Sequence, residues 1–587
     1  MLRGRFQERA VTRILLPCLF SLRACRNRLI LKSESGIPHH FFSPKQQGWS
    51  IILISVRLCV HTEIFPFSGI IPAAVFGRLS SKIRISRIAT EFSGLPKDFS
   101  MVTINSNFAG LRHVLRRLRN RDMISLKLTL CALVTGVVTG AVCSFFETIP
   151  MALSGYRLSS LEKLAGSPVT AFIAAFAVSA FLGGFAMYLT KRFAPEAGGS
   201  GIPEIEGAMT DLRPVRFWRV LPVKFFGGIF SLSSGMILGR EGPSIQIGGN
   251  LGAMVSRIFR LTPEEFHALL AAGAASGLAS AFNAPLAGII FVMEELRSQF
   301  RYTVASVQAV TFSVIASTIT RDNFSGTFPV FELPEYHMPD LRDLVFFGLF
   351  GMLMGGAGVL FNRSVGLMQD LYLKINGSSL RRHILTGVLL GGTFGVLSLW
   401  LPMLSGSGMQ HITGWITGHF SITLLILILL GRFLGILLCF CSGIPGGIFA
   451  PSLSLGTLGG ALAGMVLLQT GCINFNPGIM AIVGMGAFFA ASVRAPVTGI
   501  ILVCEMTNNF EFLLPMMVAV FAATLTAGAL KGKPVYTQIL ERTLRLSGNR
   551  SMMRKFSRMR ALYRKNGSPL PAEEDAAPEV PLSEKRS

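Results

Sequence analysis

Four short stretches of this 587-residue chain combine glycine, proline and polar side chains inside otherwise apolar surroundings: GGSGIPEIEG (198–207), GREGPSIQIGG (239–249), GIPGGIFAP (443–451) and GKPVY (532–536). Three of them set Gly and Pro just ahead of a resumed apolar run. Glycine permits a sharp backbone turn and proline suits the first turn of a helix, so each reads as a helix N-terminus. A helix N-terminus presents unpaired N–H groups and a partial positive charge. Several converging on one point form a site for an anion without a full cation. Such a site holds its ion loosely enough to release it, as conduction requires. Ser200 and Tyr536 would add hydroxyl donors. The alternative is a set of ordinary helix breaks, which the repetition of the pattern disfavours.

Glu241 lies within the second stretch, between two glycines. A carboxylate at membrane depth is costly and is usually functional. Placed where another anion binds, it would fill the site when charged and vacate it when protonated, acting as gate and proton carrier in one group. The alternative is a carboxylate that caps its own helix. Glu294 and Glu295 close the apolar run 285–293; on spacing alone they read as a charged helix end at the aqueous interface, paired with Arg297. Glu505 ends a matching run and reads as structural. Lys224, alone in an apolar run, is expected to face the protein interior and tune the local field, and Arg240 to do the same or pair with an acid.

The elements that must position these groups are membrane helices. The chain is 50% hydrophobic and only 15% charged, with a mean hydropathy of +0.54, against about 25% charged residues in a typical soluble domain. Segments 168–190, 344–361, 384–403, 420–441 (broken only by Arg432) and 512–530 approach or reach the roughly 20 apolar residues that cross a bilayer. Shorter runs at 221–238, 268–282, 285–293, 479–493 and 497–504 are cut by Gly or Pro. Interrupted helices are tolerated in lipid only where they line a protein-enclosed cavity, and in transporters they point to the substrate site.

The chain also repeats itself. Gly273, Ala279, Ala284, Pro285, Gly288, Ile289, Ile290, Val292 and Glu294 recur at a constant offset of 211 residues. Gly239, Pro243, Ser244, Gly248 and Gly252 recur at an offset of 208. Two matched blocks in the same order imply two halves of one fold. Sequence shows the repeat and leaves its orientation open.

The net charge of +24 sits at the ends. Arg112, Arg116, Arg117, Arg119 and Arg121 precede the first long apolar segment; Lys531, Lys533, Arg542, Arg545, Arg550, Arg554 and Lys555 follow the last. The positive-inside rule places both ends in the cytoplasm, and nucleic acid is not the expected partner. Residues 1–100 hold fifteen Lys or Arg against five Asp or Glu, without sustained periodicity or a signal-peptide pattern. They are expected to be disordered or not translated, with Met101 as the start. A basic N-terminus follows over 101–122, the membrane domain over 123–531 (halves of about 123–297 and 340–531), a last site-forming segment over 532–545 and a disordered cytoplasmic tail over 546–587. The nine cysteines show neither disulfide nor metal spacing and read as buried, inert thiols.

The joint presence of GSGIPE, GREGP, GGIFAP and a late KPVY resembles the CLC family of chloride channels and chloride/proton exchangers, over roughly 110–545 and most closely its bacterial antiporter branch. The resemblance implies an all-α polytopic fold of two inverted repeats with broken, tilted helices, a homodimer with one pore per subunit, and a place in the inner (plasma) membrane. It implies chloride held by the hydroxyls of Ser200 and Tyr536 and by the backbone N–H groups of Ile448 and Phe449. Glu241 matches the family's gating glutamate, which competes with chloride and passes protons outward. Glu295 matches the internal proton-transfer glutamate found in exchangers and usually missing from channels, which overrides the interfacial reading of this residue. Ser200, where some members have proline, matches chloride-preferring members. The substrates are then chloride and protons, exchanged without metal, nucleotide or organic cofactor. A passive chloride channel of the same fold is the alternative. An intramembrane hydrolase built on Ser200, Ser234 or Ser276 with His267 is a remote one.

Overall fold

The computed structural model describes residues 126–558 apart from 164–166, 298–299, 335, 337–338, 419 and 549–550. The expectations for 1–100, for 101–122 and for 559–587 fall outside the described residues. Within them the chain is helical, with two isolated β-bridges and no longer strand. In order, the helices are α1 (Leu126–Lys163), α2 (Pro168–Phe193), α3 (Ile202–Ala208), α4 (Phe217–Ser233), α5 (Glu241–Ile258), α6 (Pro263–Phe282), α7 (Pro285–Glu294), α8 (Val304–Ser325), α9 (Leu344–Asn376), α10 (Leu380–Trp400), α11 (Met409–Thr417), α12 (Ile422–Cys441), α13 (Phe449–Gln469), α14 (Pro477–Val493), α15 (Pro496–Thr507), α16 (Leu513–Ala529) and α17 (Val535–Leu546).

Among the described residues, six helical segments are long and apolar enough to cross a membrane: Leu126–Leu161, Pro168–Phe193, Leu341–Asn376, Leu380–Trp400, Ile422–Cys441 and Phe449–Gln469. Shorter apolar helices, α7, α14, α15 and α16, complete the bundle. The outward faces of the long helices are apolar: Leu349, Leu353, Leu360 and Leu367 of α9 and Leu427, Leu430 and Leu434 of α12 are exposed. In water such a face would be a liability; against lipid it is the expected solvent contact. Cys131, Cys143, Cys439, Cys441 and Cys504 are buried free thiols, while Cys472 is exposed.

The repeat appears as matched helix pairs. α6 begins at Pro263 and ends in a left-handed cap at Asn283 (φ 51°); α14 begins at Pro477 and ends in a left-handed cap at Arg494 (φ 72°). Asn283 and Arg494 are counterparts at the 211-residue offset. Proline then opens the next helix in each half, α7 at Pro285 and α15 at Pro496. In both halves the preceding helix crosses at a glycine contact. A Cβ on Gly248 or Gly273 would strike the other's carbonyl, as would one on Gly456 or Gly484. Only glycine at these crossings lets the backbones approach so closely.

The halves are inverted, and two reciprocal contacts show it. Gly239 and Gly447, counterparts at the 208-residue offset, form an antiparallel bridge: each N–H donates to the other's carbonyl at 2.7 Å. The Glu505 carboxylate at the end of α15 accepts from the N–H groups of Leu286 (2.9 Å) and Ala287 (2.8 Å) at the start of α7. The Glu294 carboxylate at the end of α7 accepts from the N–H groups of Val497 (3.1 Å) and Thr498 (2.7 Å) at the start of α15. Residue and counterpart exchange roles across one axis, and α7 lies head to tail with α15. Glu294 is therefore a cap on the opposite half, a role that spacing along the chain does not suggest.

Beyond α17, residues 551–558 are helical, and Phe556 is buried with Leu212, Leu540 and Leu544. This piece of the stretch assigned to a disordered tail packs on the membrane domain, because its one aromatic finds an apolar cleft left by α17.

The clasp predicts that Glu505→Ala lowers stability by about 1–2 kcal/mol, the range for losing a helix N-cap. The thermal midpoint in detergent would fall accordingly; an unchanged midpoint would mean that Leu286 and Ala287 find other acceptors without cost.

Candidate anion and proton site

The glycine-rich stretches are stitched to one another by backbone hydrogen bonds. The 443–448 segment threads between the other two: Gly199 N–H donates to Ile444 O (3.0 Å), Gly446 N–H to Gly199 O (3.1 Å), and Gly447 pairs with Gly239 as described. Side chains fix the same junction. Lys224, fully buried on α4, donates from Nζ to the carbonyls of Ala197 (3.0 Å) and Gly199 (2.6 Å). Ser231 donates to Pro445 O, and Gln246 to Glu196 O at 2.9 Å. Lys224 thus faces inward, as its isolation in an apolar run suggests. Its charge is spread over two carbonyls of the loop that carries Ser200.

At this junction α5 and α13 start within contact of each other. A Cβ on Gly239 would meet Ala450 N at 3.3 Å and the Glu241 carboxylate. Glu241 opens α5 and is fully buried. Its Oε2 accepts from the N–H of Ala450, in the first turn of α13, at 3.3 Å, while Oε1 has no partner. The carboxylate also lies within reach of its own N–H, so self-capping is realised only in part. Arg240 beside it pairs with Glu147 at 2.7 Å and donates to Ala281 O at 3.1 Å.

Ser200 reaches the same point from the loop before α3. A Cβ on Gly242 would meet Ser200 O at 2.8 Å and its Cα at 3.0 Å, besides the hydroxyl. Only glycine fits there. Tyr536, on the first turn of α17, is fully buried. Its hydroxyl is close enough to Ser200, Glu241 and Glu295 for all three to act on it. Neither the Ser200 nor the Tyr536 hydroxyl has a well-oriented hydrogen-bond partner. Ile448 and Phe449, 1% and 0% exposed, lead into α13, where first-turn N–H groups have no intrahelical acceptor. Hydroxyls and first-turn N–H groups gathered in one dry place are a donor set suited to an anion, because a buried polar group left unpaired costs about 1–3 kcal/mol.

Glu295 reaches Tyr536 from a separate element. It follows α7 and is partly exposed, with Glu206 (3% exposed, on α3), Arg297 and Glu294 as its charged neighbours. Sequence reading does not single out Glu206; its signal was a second acid in the polar stretch 198–207, two residues after Glu204. An aromatic chain joins the two places: the Phe449 ring packs on Phe282 (5.0 Å), Phe489 (4.3 Å) and Phe291 (6.2 Å). Phe291 O accepts from the Glu295 N–H at 2.8 Å. The rings that pack on Phe449 are all phenylalanines.

A cavity of about 370 Å³ borders Ser200, with Lys191, Arg213, His383 and Arg542 on its wall. A second, of about 300 Å³, is lined by Arg240 and Ser398 among others. His383 and Ser398 lie fifteen residues apart on α10, roughly 22 Å at 1.5 Å per residue. The two cavities therefore sit toward opposite ends of one membrane-length helix, and Glu241 is on the wall of neither.

The hydrolase constellation is not assembled among the described residues. His267 pairs with Asp211 at 3.2 Å. Ser276 bonds Ser313 at 2.8 Å and Ser234 donates to Ser231 O at 2.7 Å.

Residues 182–528 match the family model described as "Voltage gated chloride channel". The chain is 48% identical over 436 residues to the H(+)/Cl(-) exchange transporter ClcA of Vibrio cholerae serotype O1 (strain M66-2), which covers 74% of this chain and 93% of the relative. It is likewise 48% identical over 438 residues to the transporter of the same name from Yersinia pseudotuberculosis serotype IB, covering 73% and 91%. Among solved structures, a slow cyanobacterial Cl-/H+ antiporter superposes with a TM-score of 0.69 at 36% identity, over 72% of this chain and 99% of that one. A eukaryotic CLC transporter superposes with a TM-score of 0.61 at 22% identity, over 71% and 74%, a likeness of fold.

The site geometry predicts that Gly242→Ala, which drives a methyl into the Ser200 backbone, weakens binding of small monovalent anions roughly tenfold or more, the scale of one hydrogen bond to a charged group. Calorimetric titration of folded variant protein measures this; an unchanged affinity would remove Ser200 from the site.

Proposed function

This chain belongs to the voltage-gated chloride channel (CLC) family, and from that premise we propose that it exchanges chloride for protons across a bacterial inner membrane. The observation that carries the reading is the Glu241 carboxylate resting on the N–H of Ala450. An anionic side chain occupies the N-terminal turn of α13, one residue beyond the N–H groups of Ile448 and Phe449 assigned to chloride. Chloride and carboxylate then compete for one positively polarised place.

The coupling follows from that competition. Protonated Glu241 loses its hold on the helix end and leaves room for chloride. Chloride, once bound, favours the protonated, neutral side chain. Each ligand raises the affinity for the other by the same factor, as linkage requires. The hydroxyls of Ser200 and Tyr536 hold chloride from the side of the larger cavity. Glu295 takes protons from the inner face and supplies Glu241. The phenylalanine rings packed on Phe449 carry no ionisable group, so water carries the proton past Phe449 and Tyr536. The 48% identity to H(+)/Cl(-) exchange transporters and the presence of a carboxylate at 295 favour an exchanger over a passive channel, which shares every anion-site residue.

The protein acts as a secondary active transporter, a homodimer with one pore per subunit. Both termini are cytoplasmic, as the basic segments at 112–121 and 531–555 direct. The membrane domain spans 123–531, completed by the 532–545 segment that supplies Tyr536.

Purified protein in liposomes with an imposed chloride gradient is expected to drive protons uphill. Glu241→Gln is expected to move chloride with proton coupling lost, and uphill proton movement by that variant would refute the gate. Glu295→Gln is expected to uncouple likewise; wild-type exchange would reduce Glu295 to an interfacial charge. Tyr536→Ala should lower chloride occupancy in calorimetry and leak chloride. Chloride flux without proton movement by the wild type would make the protein a channel.

A further inference from the structure

The smaller cavity holds a cation that the exchange mechanism does not use. Arg157, on α1, is 6% exposed and lines this cavity with Arg240, Glu147 and Ser398. Its guanidinium donates to the Ser179 hydroxyl (3.1 Å), the Gly395 carbonyl (3.4 Å) and the Ser398 hydroxyl (3.0 Å), and Nε has no acceptor. Every one of those partners is neutral, and no charged group among the described residues acts on it. Glu147, the one carboxylate on the cavity wall, is already engaged by Arg240 at 2.7 Å. Two guanidinium groups thus face one carboxylate, which leaves the cavity with an excess positive charge.

A buried charge without a counter-ion is strongly destabilising. Fully buried cations elsewhere in the chain are handled differently. Arg432 donates to the carbonyls of Met403, Ser405 and Gly406 and to the Ser454 hydroxyl, and lies over Trp415 at 5.4 Å. Lys224 sits on two carbonyls. Arg157 has a single carbonyl, at the long distance of 3.4 Å, and it borders an open space of about 300 Å³. That volume admits a chloride ion with part of its hydration shell, since one water takes about 30 Å³ of liquid.

We propose that Arg157 and Arg240 form a further anion site in this cavity, an antechamber that holds a small monovalent anion on the Arg240 side of Glu241. The ion supplies the missing counter-charge for Arg157. Leu238 and Arg240 both line the cavity, and Glu241 follows directly in the chain, so an anion here stands next to the group it must displace. The antechamber raises the local anion concentration on that side, the effect expected of a cleft lined with one sign of charge. The identity of the ion as chloride rests on the exchange reading; the existence of the site does not.

Crystals of wild-type protein grown in bromide test the site directly through anomalous scattering. A bromide peak within hydrogen-bond reach of the Arg157 guanidinium is expected, separate from any peak beside Ser200 and Tyr536. No bromide in the cavity would overturn the proposal, whatever the transport assays show. Bromide there in a protein that fails to exchange chloride for protons would sink the exchange reading and leave the site standing. In oriented liposomes, Arg157→Gln is expected to raise the half-saturating chloride concentration on the Arg240 side roughly tenfold, with the opposite side and the proton coupling unchanged, and Arg157→Lys to restore most of the loss. A purely structural arginine linking α1, α2 and α10 would move both sides together, and that result would also overturn the proposal. If Arg157→Gln does not fold, the wild-type bromide map and Arg157→Lys decide.

Discussion

Two helix N-termini are held against each other by the pair of 2.7 Å hydrogen bonds between Gly239 and Gly447, and the rest of the structure has to satisfy that arrangement. Each terminus carries roughly half a positive charge on N–H groups that the helix cannot use. In water they would be solvated. In the dry centre of a membrane domain, two such ends repel unless something negative lies between them. Glu241 is the negative group the chain itself provides, and its bond to Ala450 N–H shows where it rests. An anion from solution is the other candidate for the same place. The proposed gate and the proposed binding site are thus two solutions to one electrostatic problem.

The junction also explains why so many small residues are needed around it. A methyl on Gly242 would run into the Ser200 backbone, and one on Gly239 into Pro451 and the Glu241 carboxylate. Lys224 and Ser231 then tie the threaded loops to α4. The backbone is held by many weak interactions, none of which occupies the Ser200 or Tyr536 hydroxyls. Those hydroxyls remain available because their neighbours satisfy one another. The buried cations follow the same economy: Lys224 and Arg432 are shared among carbonyls, whereas Arg157 opens onto a cavity.

Inversion of the two halves gives this junction its symmetry. The clasp of Glu294 on α15 and Glu505 on α7 fixes the head-to-tail alignment of those helices. Glu295, the next residue after Glu294, is therefore placed by a cap on the opposite half. The anion end and the proton end of the proposed pathway are tied to the same pseudo-two-fold axis, one through Gly239 and Gly447, the other through the two glutamates.

Much of this was legible in the residues. Apolar length and low charge identified a membrane protein, since no other solvent accepts such faces. The Gly/Pro stretches marked the helix starts, as only those residues permit the turns they require. The offsets of 208 and 211 exposed two halves, and Glu241 stood out because a carboxylate among glycines at membrane depth is expensive. What sequence could not supply was orientation and pairing. A repeat reads the same whether its copies are parallel or inverted, and only reciprocal contacts across an axis tell them apart. Glu294 and Arg297 are near neighbours along the chain, yet Glu294 caps a helix 203 residues further on, because hydrogen bonds to unsatisfied N–H groups depend on distance in space. Arg157 carried no signal at all in the sequence. Its lack of a charged partner is a property of what surrounds it, and folding alone determines that.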